Sequence, residues 1–369
     1  MGWPSTGEPA TGMLSDLRIL DFSTLLPGPY CTQIFADMGA DVLKVEQPGG
    51  DPARHFPGGM YEIANRNKRS ITLNLKDPAD QARALALAAE ADVVLEGFRP
   101  GVAERLGIGY EQIRAVKPDI VYCSISGFGQ TGPWRLRPGH DLTYLATSGG
   151  LAFSPHWHGK PRRSGIPIAD LSASTFAAIS ILAALRDRDR GNVCGAWLDV
   201  AISDTTLAFA APRGGPGVRL SDADRVSVYP HNDLFETADG ETIAVSAVEK
   251  KFWDQLRRAL SDYVPELADT RFDEAEGRLL HGDLLSEFLA RAFLQREAQY
   301  WVALFEKLDV PVERTLPIAE AARTEHSAAR GLLATCEGDE QIVFPVHCNG
   351  SVIGRYRSRA PGLGRMLRP

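Results

Sequence analysis

Short strand signals alternate with helical signals through the first half of this chain, and that alternation limits the fold more than any other feature. Arg18–Phe22 reads as a short buried strand, Leu26-Pro27-Gly28-Pro29 as a turn, and Tyr30–Met38 as a helix stopped by Gly39. Asp41–Glu46 is a second strand, and Ile71–Leu75, Asp92–Glu96 and Ile120–Ser126 repeat the pattern, with a helix at Ala82–Ala91. A long apolar helix follows Asp170, from about Ser172 to Leu185, then a strand at Ala196–Ile202 and a helix at Ser203–Ala211. Strands separated by helices cannot pair through tight hairpins. They need crossover connections, so the expected fold class is α/β, a parallel sheet covered by helices on both faces.

The pattern then changes. Arg213–Asp224 is rich in Gly, Arg and Asp, contains Pro216, and reads as a linker. Beyond it, Leu234–Val245 is a hairpin with Asp239-Gly240 as its turn, followed by helices at Phe252–Leu260, Gly282–Phe293 and Glu297–Leu308. Pro311 and Pro317 break the helical pattern, and the tail after Ala334 reads as strands returning to a sheet. A length of 369 residues suits two domains. The expected division is a large domain at 1–212, a linker at 213–227, a small α+β domain at 228–325, and a segment at 326–369 that returns to the large domain.

Composition excludes several classes. A net charge of -7 argues against a nucleic-acid surface, which would show as a basic stripe. No unbroken apolar run of membrane-spanning length is evident, so no membrane span is expected. Met1–Gly12 lacks the apolar core of a signal peptide. The five cysteines are odd in number and form no C-x-x-C, which suits a reduced, cytoplasmic chain. Cys123, inside an apolar run, reads as a buried filler.

Ligands in open parallel sheets sit beyond the carboxyl ends of the strands. The first strand, turn, helix and second strand resemble the start of a dinucleotide fold, but G-x-G-x-x-G is missing and the loop is Leu-Pro-Gly-Pro, which argues against NAD. A different phosphate-bearing ligand fits better. Leu73-Asn74-Leu75-Lys76 ends one strand, and Glu96-Gly97-Phe98-Arg99 ends the next. Lys76, Arg99 and Arg105 could hold phosphates there, and Phe98 could offer a face to a base, with Leu73, Leu75 and Gly97 beside them. His156-Trp157-His158 lacks further ligands at zinc spacing and reads as a surface loop, so no metal is expected. The G-x-S-x-G elbow of serine hydrolases is absent. His140 lies in a turn beside Asp141. Asp170 reads as the N-cap of the long helix, where backbone N–H groups can stabilise an anionic oxygen.

Several motifs in order resemble the superfamily of family III CoA-transferases and 2-methylacyl-CoA racemases. They are Asp21–Glu46, Asn67-Lys68-Arg69-Ser70, the stretch 95–109 beginning Leu95-Glu96-Gly97-Phe98-Arg99-Pro100-Gly101, and Ser126-Gly127-Phe128-Gly129-Gln130-Thr131-Gly132-Pro133. The resemblance spans Leu14 to about Leu333. It implies coenzyme A as part of a thioester substrate with no other cofactor. It also implies a Rossmann-like large domain fed by both chain ends, and two subunits interlocked as a homodimer. Gln47 departs from the superfamily, whose members often place an Arg there for the CoA phosphates; Lys44 or Arg54 could take that part.

The two branches differ in chemistry. Gly139-His140-Asp141-Leu142-Thr143-Tyr144-Leu145 and Glu249 are similar to the racemase pattern; Gly165-Ile166-Pro167-Ile168-Ala169-Asp170, followed by Leu171-Ser172-Ala173-Ser174, is similar to the transferase pattern. The expected activity is epimerisation of a 2-methylacyl-CoA. His140 and Asp170 would take and return the α-proton on opposite faces, while Glu249 holds the His140 tautomer in its own or in the partner subunit's site. The alternative is CoA transfer between carboxylic acids, with Asp170 as covalent nucleophile.

Overall fold

The computed structural model describes residues 3–4, 12–151, 164–213 and 229–363. His156-Trp157-His158 and nearly all of the expected linker lie outside the described residues. The described residues of Met1–Ser148, Gly165–Phe209 and Ala322–Pro369 form one compact unit, and those of Gly149–Ser164 and Ala210–Ala321 a second.

The first unit is built on a six-stranded sheet: β1 (Arg18–Asp21), β2 (Asp41–Glu46), β3 (Arg69–Thr72), β4 (Val93–Glu96), β5 (Val121–Ser126) and β6 (Ala196–Ala201). The order is β3-β2-β1-β4-β5-β6, and every pair is parallel. The chain starts in the middle, works outward to β3, then crosses back to β4 and continues the other way. This reversal opens a crevice at the carboxyl ends of β1 and β4, the switch point where doubly wound sheets bind ligands. All of β4 and β5 is buried, as strands covered on both faces must be.

Local chemistry sets the element ends. The helix Pro78–Ala88 begins earlier than its apolar spacing suggests, because Asp77 caps it by accepting from the Ala79 N–H at 2.8 Å and Pro78 fits its first position. β3 also begins earlier, at Arg69, whose guanidinium is held by Asp41 at 2.5 Å on the neighbouring strand. The helix Ile168–Asp189 extends beyond Ser172–Leu185 at both ends. By length and composition it could cross a membrane, although Asp170, Ser172, Ser174, Thr175 and Ser180 interrupt its apolar run. It packs on β5, β6 and the helix Pro27–Asp37, burying Ala169, Ala173, Ala177 and Ile181 along one stripe, as a core helix does.

Ion pairs are buried beneath the β1–β2 edge: Lys44–Asp51 at 2.8 Å, Lys68–Asp21 at 3.3 Å and Arg66–Asp37 at 2.6 Å. The same region holds the end of the chain. Asn67 Oδ1 accepts from the backbone N–H of Arg357 at 2.6 Å and of Ser358 at 3.1 Å, and Arg54 donates to the Pro361 carbonyl at 3.0 Å. The strands after Ala334 do not extend the large sheet. They form two small antiparallel hairpins, Leu333–Cys336 with Asp339–Ile342 and His347–Cys348 with Ser351–Val352.

The second unit is α+β. Strands β7 (Asn232–Glu236), β8 (Thr242–Ser246) and β9 (Val312–Arg314) form an antiparallel sheet. Its core joins that sheet to the helices Lys250–Ser261, Gly282–Phe293 and Ala298–Lys307 through Trp253, Phe293, Trp301 and Phe305. Both indoles are satisfied: Trp253 Nε1 donates to the Phe272 carbonyl and Trp301 Nε1 to that of Phe293, each at 2.8 Å.

Candidate active site

Two cavities open along the carboxyl edge of the parallel sheet, both within the first unit. One, of about 390 Å³, lies at the switch point: Thr24–Gly28 follow β1, Gly97–Pro100 follow β4, and Ile125–Gly127 end β5. The segment around His140 and the start of the helix Ile168–Asp189 complete it. His140 and Asp170, 30 positions apart, thus line one cavity.

Asp170 is the third residue of its helix, not the cap; Pro167 holds the cap position and offers no side-chain acceptor. The cap function comes from another element. Asp141 Oδ1 accepts from the Ala169 N–H at 2.8 Å and the Asp170 N–H at 3.3 Å. Ser174, one turn on, donates from Oγ to the Pro27 carbonyl at 2.7 Å, fastening the helix to the loop after β1. A first-turn carboxylate is ordinarily favoured by the helix dipole. Here burial and then the nearby Asp141 charge outweigh that, and lift the Asp170 carboxyl to about 7. No cation among the described residues offsets that rise.

His140 precedes the helix Asp141–Thr147. Its backbone N–H donates to Thr143 Oγ1 at 2.9 Å, and the residue is exposed on the cavity side. Tyr144, one turn on, fits against two glycines. A Cβ at Gly127 would stand 2.4 Å from Tyr144 Oη, and one at Gly139 2.4 Å from its Cε1. Burial and the Asp170 charge raise the Tyr144 phenol to about 12, against the pull of Arg99, so the hydroxyl stays a proton donor at neutral pH. Arg135 and Arg137 line the same cavity, with the Arg137 guanidinium 4.3 Å above the Trp134 ring.

The second cavity, of about 450 Å³, runs past the ends of β2 and β3 and is lined by Gln47, Leu73, Leu75, Lys76 and Phe98, among others. Thr24 and Phe98 face both cavities. Phe98 is held from behind, its N–H donating to the buried Glu96 carboxyl at 2.7 Å. The two cavities thus share a wall, with a lysine lining one and a carboxylate the other.

The structure parts some residues that the sequence groups. Leu73, Leu75, Lys76 and Phe98 meet in the second cavity, and Gly97 and Arg99 in the first. Arg105, exposed in the short helix Val102–Arg105, lines neither. Lys44 and Arg54 are unsuited to phosphates. Lys44 is fully buried against Asp51 and the Ser23 carbonyl, and Arg54 is paired with Glu46 at 2.6 Å. Glu249 belongs to the second unit, exposed at the cap position of the helix Lys250–Ser261. Sequence reasoning missed Asp141 as the partner of the Asp170 helix, and Tyr144. The signal was present in Gly-His-Asp-x-x-Tyr, which places His140 and Tyr144 one turn apart.

The model of CoA-transferase family III matches residues 14–366. The chain belongs to this family. It is 35% identical over 370 residues to an acetyl-CoA:oxalate CoA-transferase of Acetobacter aceti, covering 95% of this chain and 93% of the relative. It is also 35% identical over 333 residues to a succinyl-CoA–D-citramalate CoA-transferase of Chloroflexus aurantiacus, covering 86% and 82%. Among solved structures, a CaiB/BaiF family protein from Brucella suis superposes with a TM-score of 0.83 at 26% identity over 96% of this chain and 97% of that one. As a family III member the chain is an acyl-CoA enzyme, and its cavities lie where an α/β sheet of this order binds ligands.

Proposed function

We propose that this family III member is a CoA-transferase that moves coenzyme A from an acyl-CoA to a free carboxylic acid, with Asp170 as the covalent carboxylate. The observation that carries the reading is the Asp170 side chain in the switch-point cavity, raised to about 7 by burial and the Asp141 charge with no opposing cation among the described residues, beside a second cavity that carries Lys76. A carboxylate tied up in an ion pair is a poor nucleophile. The curated relatives described above are both named as CoA-transferases.

Each step balances within the two substrates. An Asp170 oxygen attacks the thioester carbonyl carbon, the C–S bond breaks, and CoA leaves as thiolate, giving a mixed anhydride on Asp170. The thiolate attacks the aspartyl carbonyl, releasing the donor acid and leaving an aspartyl-CoA thioester. The acceptor carboxylate attacks that thioester and expels CoA thiolate, forming a second anhydride. The thiolate then attacks the acceptor's acyl carbon, giving the new acyl-CoA and restoring Asp170. No further cofactor is called for. In this scheme Lys76 holds a CoA phosphate, Phe98 packs along the thioester arm, and Arg99 lies on the acyl side. A second copy of the chain is the proposed partner. Exposed Ile179, Leu182, Leu207 and Phe209 give the first unit an apolar surface suited to one.

Epimerisation keeps one observation in its favour: His140 shares the cavity with a carboxyl raised to about 7, a value suited to proton exchange. One experiment separates the readings. The protein is incubated in D₂O with a 2-methylacyl-CoA, with and without a dicarboxylic acid acceptor, and the α-hydrogen and the CoA ester are followed by NMR. Acceptor-dependent appearance of a new thioester, with a hydroxylamine-sensitive enzyme intermediate and no α-exchange, supports transfer. Exchange with loss of optical purity and no acceptor requirement refutes it.

A further inference from the structure

Ser126 ends β5, the strand that forms the floor of the switch-point cavity. The residue is 5% exposed, and its Oγ is buried with no hydrogen-bond partner among the described residues. Buried hydroxyls in folded proteins are nearly always paired, so an unpaired one on a residue that lines a cavity calls for a partner, and a ligand in that cavity can supply it. Its neighbours show the contrast. On the same strand Ser124 is engaged, accepting from Trp197 Nε1 at 3.0 Å. Ser174 and Ser172, also buried near this site, donate to the Pro27 carbonyl at 2.7 Å and the Ala169 carbonyl at 2.7 Å. Ser126 alone of these faces the cavity that holds Asp170.

We propose that the Ser126 hydroxyl is a further catalytic group, donating a hydrogen bond to the carbonyl oxygen of the thioester acyl group. The inference rests on the transferase reading and deepens it. When an Asp170 oxygen adds to the carbonyl carbon, the C=O π pair moves onto oxygen. As the tetrahedral intermediate collapses, that pair re-forms the double bond and expels the CoA thiolate. Ser126 keeps its proton throughout. A fixed donor in a cavity wall needs no reorganisation as the charge grows, so its effect falls on the transition state rather than on ground-state binding. Removing one such donor lowers kcat by about 10²–10³-fold elsewhere.

Ser126→Ala removes only the oxygen. Release of the donor acid, acetate from acetyl-CoA or succinate from succinyl-CoA, is measured in single turnover, beside CoA affinity and thermal stability. The expected result is a loss of at least about 30-fold in the acylation rate, CoA affinity and melting temperature near those of the parent, and partial recovery in Ser126→Thr. A second measurement tests the contact without turnover. In the acylation-dead Asp170→Ala background, bound ¹³C-carbonyl acetyl-CoA should show a lowered carbonyl stretching frequency, and adding Ser126→Ala should return it toward the free value. An unchanged acylation rate, or a carbonyl stretch indifferent to Ser126, overturns the proposal and leaves the transferase reading standing. If the parent protein releases neither acid from its CoA ester, the transferase reading falls and this inference with it.

Discussion

Asp141→Asn is the most discriminating single change in this site. The amide oxygen of Asn can still accept from the Ala169 and Asp170 N–H groups, which Asp141 Oδ1 now meets at 2.8 and 3.3 Å, so the start of the helix keeps its cap. The charge is lost, and an amide N–H₂ replaces Oδ2, which is buried with no hydrogen-bond partner among the described residues. Burial is the larger cause of the Asp170 rise to about 7 and Asp141 the lesser, so removing the Asp141 charge should return Asp170 only part of the way toward its ordinary value. A drop of about one unit is the expected value. Asp170 must be ionised to attack, so the acylation rate should climb with pH to a plateau above about 7. With a midpoint near 7 about a tenth of Asp170 is ionised at pH 6; with a midpoint near 6, about half. The variant should therefore acylate about fivefold faster than the parent at pH 6 and at nearly the same rate at pH 8.5. Rapid-quench release of the donor acid from acetyl-CoA or succinyl-CoA across pH 5–9 reads this directly. An acid limb that stays put or moves upward refutes the assignment of Asp141 as the charge that lifts Asp170. A bell-shaped profile, falling above pH 7, shows that protonated Asp170 is the working form and returns the site to proton exchange.

Three further outcomes follow from the same geometry. Burial lifts the Glu96 carboxyl from 4.5 to about 7. A carboxyl whose folded value is raised stabilises the fold while protonated, and that stability is lost as pH rises from about 4.5 through 7. Glu96→Gln should flatten the decline by up to about 3 kcal/mol in denaturant titrations run between pH 5 and 8. Gly127→Ala places a methyl 2.4 Å from Tyr144 Oη, so it should cost about 1–3 kcal/mol and most of the activity, with partial rescue by Tyr144→Phe, seen in melting and turnover together. Lys76→Ala should raise KM for acyl-CoA about tenfold with kcat near the parent value; an unchanged KM would remove the second cavity from CoA binding.

What could be read from the sequence follows from the range of the forces involved. The α/β class was legible because short, mostly apolar strand signals alternate with helical ones, and β4 and β5 are buried throughout. The strand order was not, since nothing local records that β4 rather than β3 pairs with β1 on its second side. His140 and Asp170 were visible as residue types next to turn signals. Their surroundings were not, because Asp141 reaches the Asp170 helix across 28 residues to cap it. The misreading of Lys44 and Arg54 as phosphate ligands has the same origin. A lysine at the edge of a strand looks available in one dimension, and only the fold shows Asp51 2.8 Å away and no exposed surface.

The balance between proton exchange and acyl transfer turns on what each chemistry asks of the histidine, because the carboxylate is shared. Both need a thioester carbonyl beside an uncommitted carboxyl, and both load charge onto the same oxygen. Epimerisation further needs a second base fixed on the opposite face of the α-carbon and shielded from solvent protons, so that one proton leaves and another arrives under control. His140 is exposed, at the cap of a helix of only seven residues, and Glu249, the acid matched to it in sequence, is exposed in the other compact unit. Transfer makes no such demand on His140. It needs Asp170 held still, and the N–H bonds to Asp141 together with the Ser174 bond to Pro27 supply that fixation. Replacing His140 by Ala should therefore slow acylation by less than about tenfold, whereas the loss of one of two obligatory bases removes about 10²–10⁴-fold. A measured loss in the larger range would show that the imidazole handles a proton in the reaction, and the transfer scheme as drawn would have to be abandoned.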